Sequence, residues 1–165
     1  MDITSHDSEI PAHGQQVITA CAFIHQNVDG LEKVFLPKRA ATKKFLPGVF
    51  ELPGGHIDYG EDAVAGLKRE ITEELAMTVE IGDPFFVFTY TNEVKGSHSI
   101  EVIYFASFVE DAARVQLNPE DHSEYGWFAE SELANAATEH KGLDDIEFVA
   151  IRKGFALLRG EPCSH

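Results

Sequence analysis

The segment Gly55–Met77 constrains this chain more than any other. It places Glu61, Arg69, Glu70, Glu73 and Glu74 within one helix-length stretch that directly follows a glycine turn. At about 100° per residue, Glu70, Glu73 and Glu74 share an arc of roughly 100°. Val64, Leu67, Ile71 and Leu75 occupy a second arc, centred roughly 110° away. A helix here buries the apolar stripe and leaves the carboxylates along its flank. A solvated acidic face would alternate glutamate with lysine four residues on, and none of the three glutamates has that partner. Arg69 stands four residues before Glu73, the spacing of a helical side-chain pair, where a guanidinium can hold a carboxylate in one rotamer. Clustered carboxylates suit hard divalent cations, which prefer oxygen ligands. Cations held there bind polyphosphates and make a bound water more acidic.

The segment resembles the Nudix box. That pattern runs glycine, five residues, glutamate, seven residues, Arg-Glu, an aliphatic, any residue, Glu-Glu, any residue, glycine, an aliphatic. Gly55, Glu61, Arg69, Glu70, Ile71, Glu73, Glu74 and Met77 fall in its register. The one departure is Ala76, where the pattern has glycine. Glycine at a helix end supplies a left-handed residue, so alanine implies that the helix runs on or ends by another geometry. The resemblance implies a fold and a site. The fold is an α/β one, a Nudix-type α/β/α sandwich with a mixed β-sheet. In the site, Glu70, Glu73 and Glu74 hold Mg²⁺ or Mn²⁺ and the Gly55 carbonyl joins the metal shell. Glu61 would act mainly as a structural partner of Arg69.

Around that segment the chain reads as one domain, 16–160, behind a polar, loosely ordered stretch at 1–15. Its 165 residues suffice for a sizeable core. A net charge of −15 argues against sequence-independent nucleic-acid binding. It also means that local cations must draw in a polyphosphate. Lys38, Arg39, Lys43 and Lys44 precede the glycine turn. Arg39 is the expected substrate contact, with Phe50 and Glu51 as further candidates. Cys21 and Cys163 form no motif, which suits a reduced compartment. The first residues have neither the charge nor the apolar run of a signal peptide, and no apolar stretch reaches membrane-spanning length. The expectation is a cytoplasmic protein acting on a small-molecule nucleotide, with no membrane partner and with a homodimer left open.

Along the chain, Val17 to Ile24 reads as a buried strand and Lys33 to Arg39 as the next. Val49 to Leu52 reads as a short strand running into the turn at Gly54-Gly55. Residues 61–75 form the acidic helix. Val79 to Ile81 and Pro84 to Thr91 look extended. Asn92 to Ser97 reads as a turn before a strand at Ile100 to Val109, a β-hairpin. Glu124 to Phe128 is a short strand. Glu130 to Ala137 reads as a short helix opened by Ser131 or its neighbour. The last helix, Asp144 to Leu158, would bury Ile146, Val149, Ala150, Phe155 and Leu157.

Asn118 to Phe128 resembles the segment that follows the hairpin in many Nudix hydrolases, where a loop acid supplies a metal contact or the catalytic base. Glu120 and Glu124 are the candidates, and Glu120 sits on the loop, where a moving acid fits best. His122 reads as a surface residue and Trp127 as core. Phe35, Phe50, Phe88 and Tyr90 are able to stack a nucleobase, although aromatics on strands are usually core. The resulting expectation is metal-dependent hydrolysis of a pyrophosphate bond in a nucleoside diphosphate linked to another group. Nucleoside triphosphates, nucleotide sugars, ADP-ribose and dinucleoside polyphosphates all stay open. Two alternatives keep the fold: a nucleotide-sensing regulatory module, and an enzyme like the isopentenyl diphosphate isomerases.

Overall fold

The computed structural model describes residues 11–162. The expectation of a loose segment at 1–10 and the place of Cys163 lie outside them. Residues 11–15 are tied down, because the Ala12 and Gly14 amides donate to the Lys95 and Gly96 carbonyls.

A mixed sheet of six strands forms the middle layer. Its strands are β1 (Gln16–Val28), β2 (Leu31–Arg39), β3 (Gly54–His56), β4 (Val79–Asn92), β5 (Ser97–Phe108) and β6 (His122–Ala129). The order across it is β4-β5-β1-β2-β6, with β3 paired to β1. The β1–β5 pair is parallel and the other pairs are antiparallel. Because β-strand side chains alternate, β1 sends Ala20, Ala22 and Ile24 to one face and Cys21 and Phe23 to the other. Helix α1 (Ala63–Leu75) covers the first face with Leu67, Ile71 and Leu75. Helix α2 (Ile146–Leu158) covers the second with Phe148, Ala150, Ile151 and Phe155. The result is the expected α/β/α sandwich.

Several local expectations need correction. The strand before α1 is Gly54–His56, not Val49 to Leu52; in the earlier stretch only Phe50 bridges to Lys38. Glycine's low strand preference hid it. Here glycine is required, because a Cβ on Gly54, at φ 150°, would stand 2.1 Å from the Ala20 carbonyl oxygen. The two extended pieces at 79–91 are one strand with an irregularity around Pro84. Residues Glu130–Ala136 form a 3₁₀ helix whose N-cap is Ala129, not Ser131. Helix α2 is rotated from the expected face: Glu147 and Phe148 are buried, whereas Ile146 and Val149 are exposed.

The end of α1 differs too. Ala76 takes the left-handed conformation itself, at φ 53° and ψ 36°, and its amide closes the helix on the Thr72 carbonyl. The helix neither runs on nor ends differently. That conformation costs alanine about 1–2 kcal/mol, while glycine's extra freedom in the unfolded chain offsets about 0.4–1 kcal/mol. Ala76→Gly is therefore expected to stabilise the protein by about 0.5–1 kcal/mol, or about 1–4 °C in Tm. A thermal melt checks this, and a Tm that stays put or falls contradicts it.

Candidate functional site

Arg69 organises the first half of the site. Its Nε donates to Glu61 Oε2 at 2.8 Å and one terminal nitrogen to Glu61 Oε1 at 3.0 Å. The same nitrogen donates to the His56 carbonyl at 3.1 Å, and the other donates to Glu70 Oε1 at 2.9 Å. Glu73, at the anticipated helical spacing, lies farther off at 3.6 Å. One guanidinium thus joins the segment before α1, strand β3 and the acidic flank of α1. Gly55 is shaped by the same contact, since a Cβ there would meet the Glu70 carboxylate at 2.6 Å.

The end of α1 positions the second half. The Leu75 and Glu74 carbonyls, which lack helical partners, accept from the Gln116 and Asn118 amides at 3.0 Å each. This pins the loop at 116–118 beneath the helix. The Asn118 side chain then caps the Glu120 amide. Glu120 and Asp121 come to line the same cavity as Glu70, Glu73, Glu74 and Gly55.

The cavity has a volume of about 460 Å³. Arg39 and Glu51 line it as an ion pair at 3.3 Å, and the Glu51 carboxylate also bonds to His122 Nε2 at 2.8 Å. Burial opposes the charge on Glu51, but Arg39 and His122 outweigh it and hold the carboxyl down at about 2. His122 is buried, not on the surface, because a register shift at Lys38/Arg39 turns the start of β6 inward beside Arg39. Phe50 is turned away from the cavity. Its ring packs on Phe128 at 5.2 Å, and its carbonyl accepts from Lys141. Glu124 is exposed and pairs with Lys38 at 3.4 Å, outside the cavity. Lys43 lines the cavity and pairs with Asp121 at 3.2 Å. Trp127 packs with Phe35 and Phe108 on the α1 side of the sheet, away from the cavity.

The carboxylates strain against one another. Burial pushes the Glu70 carboxyl up to about 7, even with Arg69 favouring its charged form. Burial also raises Glu74 well above its ordinary range, and Glu51, Glu70 and Asp121 add repulsion; the Gly54 amide opposes this at 3.3 Å. Among the described residues, no three acidic, imidazole or thiol groups converge into a closed metal cage. Arg69 draws Glu70 one way and the Gly54 amide draws Glu74 another. The donors are nonetheless all oxygens, and their unrelieved repulsion is what a hard divalent cation removes. Such a cation keeps several waters of its own and needs only one or two carboxylates. The residues present fit that group.

Of the inner end of the cavity, formed by Thr19, Cys21, Tyr90, Glu101 and Glu147, sequence reasoning named only Tyr90, as able to stack a nucleobase. Glu101 and Glu147 are buried acids. Glu147 is paired with Lys141 at 2.6 Å and also caps the Leu52 amide. A charged residue inside the apolar run Ile100 to Ile103 was the available signal.

The raised Glu70 carboxyl has a consequence for stability without metal. The folded protein keeps that proton up to about pH 7, whereas an ordinary carboxyl releases it near 4.5. Between those values the folded state holds the extra proton, so stability falls as pH rises. The expected loss is on the order of 2–3 kcal/mol. Glu74 acts in the same direction, while Glu51 matters only toward acid pH. Urea titrations in chelator at pH 5 and 7.5 read this difference. Glu70→Gln should flatten it, and equal slopes in both proteins contradict the assignment.

Comparison with known proteins agrees with this geometry. A family model described as NUDIX domain matches residues 16–147. The nucleoside triphosphatase NudI of Salmonella paratyphi B is 28% identical over 116 residues, covering 64% of this chain and 82% of that protein. The m7GpppN-mRNA hydrolase NUDT17 of Bos taurus is 32% identical over 74 residues, 45% of this chain. The match covers only 24% of NUDT17, and about half (48%) of the uncharacterised Nudix hydrolase YfcD of Salmonella typhi. Among solved structures, a MutT NUDIX hydrolase from Burkholderia pseudomallei superposes with a TM-score of 0.64 at 26% identity, covering 84% of this chain and 97% of that one. A C. elegans Ap4A hydrolase in a binary complex superposes with a TM-score of 0.68 at 25% identity, covering 87% and 98%. No helix among the described residues is long and apolar enough to cross a membrane.

Proposed function

The chain belongs to the Nudix family, and from that premise we propose that it is a pyrophosphohydrolase that hydrolyses the pyrophosphate bond of a nucleoside diphosphate linked to another group X, giving a nucleoside monophosphate and phospho-X. The observation that carries this reading is the set of mutually repelling carboxylates, Glu70, Glu73 and Glu74, opening on one cavity with Glu120, Glu51 and Arg39. These three carboxylates and the Gly55 carbonyl would hold Mg²⁺ or Mn²⁺. When bound, such an ion neutralises charge on phosphate oxygens and acidifies water.

The chain's own groups divide the remaining work. Arg69 fixes the rotamer of Glu70 and ties α1 to β3. Lys43 and Arg39 supply positive charge in a protein of net charge −15. Both are pre-paired with acids, so a phosphate must compete with Asp121 or Glu51 for them. Glu120 is exposed on the anchored loop, and its carboxylate has no hydrogen-bond or ion-pair partner among the described residues. It is the cavity acid best placed to take the proton of the attacking water.

Phosphate release from a panel of nucleoside triphosphates, nucleotide sugars, ADP-ribose and dinucleoside polyphosphates tests the reading, with and without Mg²⁺. Metal-dependent release from at least one supports it, and none from any contradicts it. Glu74→Gln conserves shape while removing a charge, and the expected loss of turnover is at least about 100-fold with the fold kept. Near-parental turnover in saturating Mg²⁺ would overturn the assignment. In water carrying heavy oxygen, the label should enter a phosphate-containing product, which mass spectrometry reads. Free base or unphosphorylated sugar as the first product contradicts attack at phosphorus.

A further inference from the structure

Two features of the cavity play no part in phosphate chemistry. The first is a pair of nearly parallel aromatic rings. Phe45 and Tyr90 both line the cavity, with ring centroids 6.2 Å apart and planes inclined by 16°. Tyr90 stands on β4, whereas Phe45 lies on the loop after β2, where Arg39 holds it: the guanidinium donates to the Phe45 carbonyl at 2.9 Å and sits 5.8 Å from the ring centre. A planar group between two faces needs about 3.5 Å on each side, or about 7 Å in all. The 6.2 Å between centroids is an upper bound on the gap, so the loop carrying Phe45 moves outward to admit a base.

The second feature is Glu101. It is 5% exposed, yet its Oε2 has no hydrogen-bond partner while lining the cavity. Its Oε1 accepts from the Thr19 hydroxyl at 3.4 Å. A buried carboxyl oxygen left without a partner is costly, and one facing a cavity is positioned to be completed by a ligand.

We propose that the inner end of the cavity is a nucleobase subsite, with Phe45 and Tyr90 clamping the base and Glu101 Oε2 reading its edge. This rests on the reading of the preceding subsection, which puts the phosphates at the acidic flank of α1 in the same cavity. The rings supply flat, base-tolerant stacking, and Glu101 supplies selectivity. Burial and the facing Glu147 both push the Glu101 carboxyl up, while Lys141 and the Cys21 thiol pull the other way without reversing it. The group therefore enters the site as a neutral acid. It donates its proton to a ring nitrogen or carbonyl of the base, as an amide N–H in the same place would.

Binding of AMP, GMP, CMP and UMP to the full chain tests the proposal, with ribose 5-phosphate as the base-free control. Ligand-observed NMR reads it without divalent metal, so that no hydrolysis is needed. At least one mononucleotide should bind ten or more times more tightly than ribose 5-phosphate. Phe45→Ala, on a loop and safe for folding, should weaken that binding about tenfold or more. Glu101→Leu should do the same, while Glu101→Gln, which keeps a donor, should stay within about threefold. Ribose 5-phosphate binding as tightly as every mononucleotide, or Phe45→Ala and Glu101→Leu both binding like the parent, overturns the subsite. Base binding in this pattern with no hydrolysis of any nucleotide supports the subsite and refutes only the hydrolase reading. Hydrolysis that is lost in Glu74→Gln yet has an unchanged KM in Phe45→Ala and Glu101→Leu refutes the subsite alone.

Discussion

The Arg69 guanidinium is the interaction on which the site depends. It reaches Glu61 ahead of the helix, Glu70 on the helix and the His56 carbonyl on β3. Each of those elements has its own reason to form: an apolar stripe for α1, and a close glycine approach to β1 for β3. Nothing in those reasons fixes their relative orientation. The guanidinium does, because its donors form a rigid planar fork. A lysine would reach one of these acceptors at a time. With Arg69 in place, the Glu70 carboxylate stands directly over Gly55, close enough to exclude a Cβ there.

That arrangement assembles more negative charge than it neutralises. Glu61 and Glu70 share one guanidinium, Glu51 is satisfied by Arg39 and His122, and Glu74 has little beyond one backbone amide. A protein selected for stability alone would replace such residues, since strained and destabilised groups cluster where function requires them. On the proposed reading, the acidic cavity is one half of a complex whose other half is a divalent cation with a polyphosphate.

Legibility in the sequence followed the physics of each element. The acidic helix was legible because its apolar and charged residues fall on separate arcs, and because its register matches a family pattern. The mixed sheet was legible from the mixture of hairpin strands and helices, and the Nudix resemblance sharpened it to an α/β/α sandwich. Strand β3 was not, since its glycines carry a turn signal and only the close approach to Ala20 makes them a strand. His122 was misplaced because a one-residue register shift decides which way a strand residue points. The role of Glu101 was missed for a related reason. Its carboxyl is useful only because Thr19, 82 positions earlier, sits opposite it across a parallel strand pair, and no local pattern encodes that meeting.

The measurement closest to the central claim is proton release on Mg²⁺ binding. If Glu70 and Glu74 hold protons because they are buried among other carboxylates, a cation entering between them must displace those protons. Calorimetric titration of the chain with Mg²⁺ at pH 6.5, repeated in buffers of different ionisation enthalpy, counts them. The account predicts release of about one proton or more, reduced in Glu70→Gln. Binding with no proton release, or no binding at millimolar Mg²⁺, would contradict it.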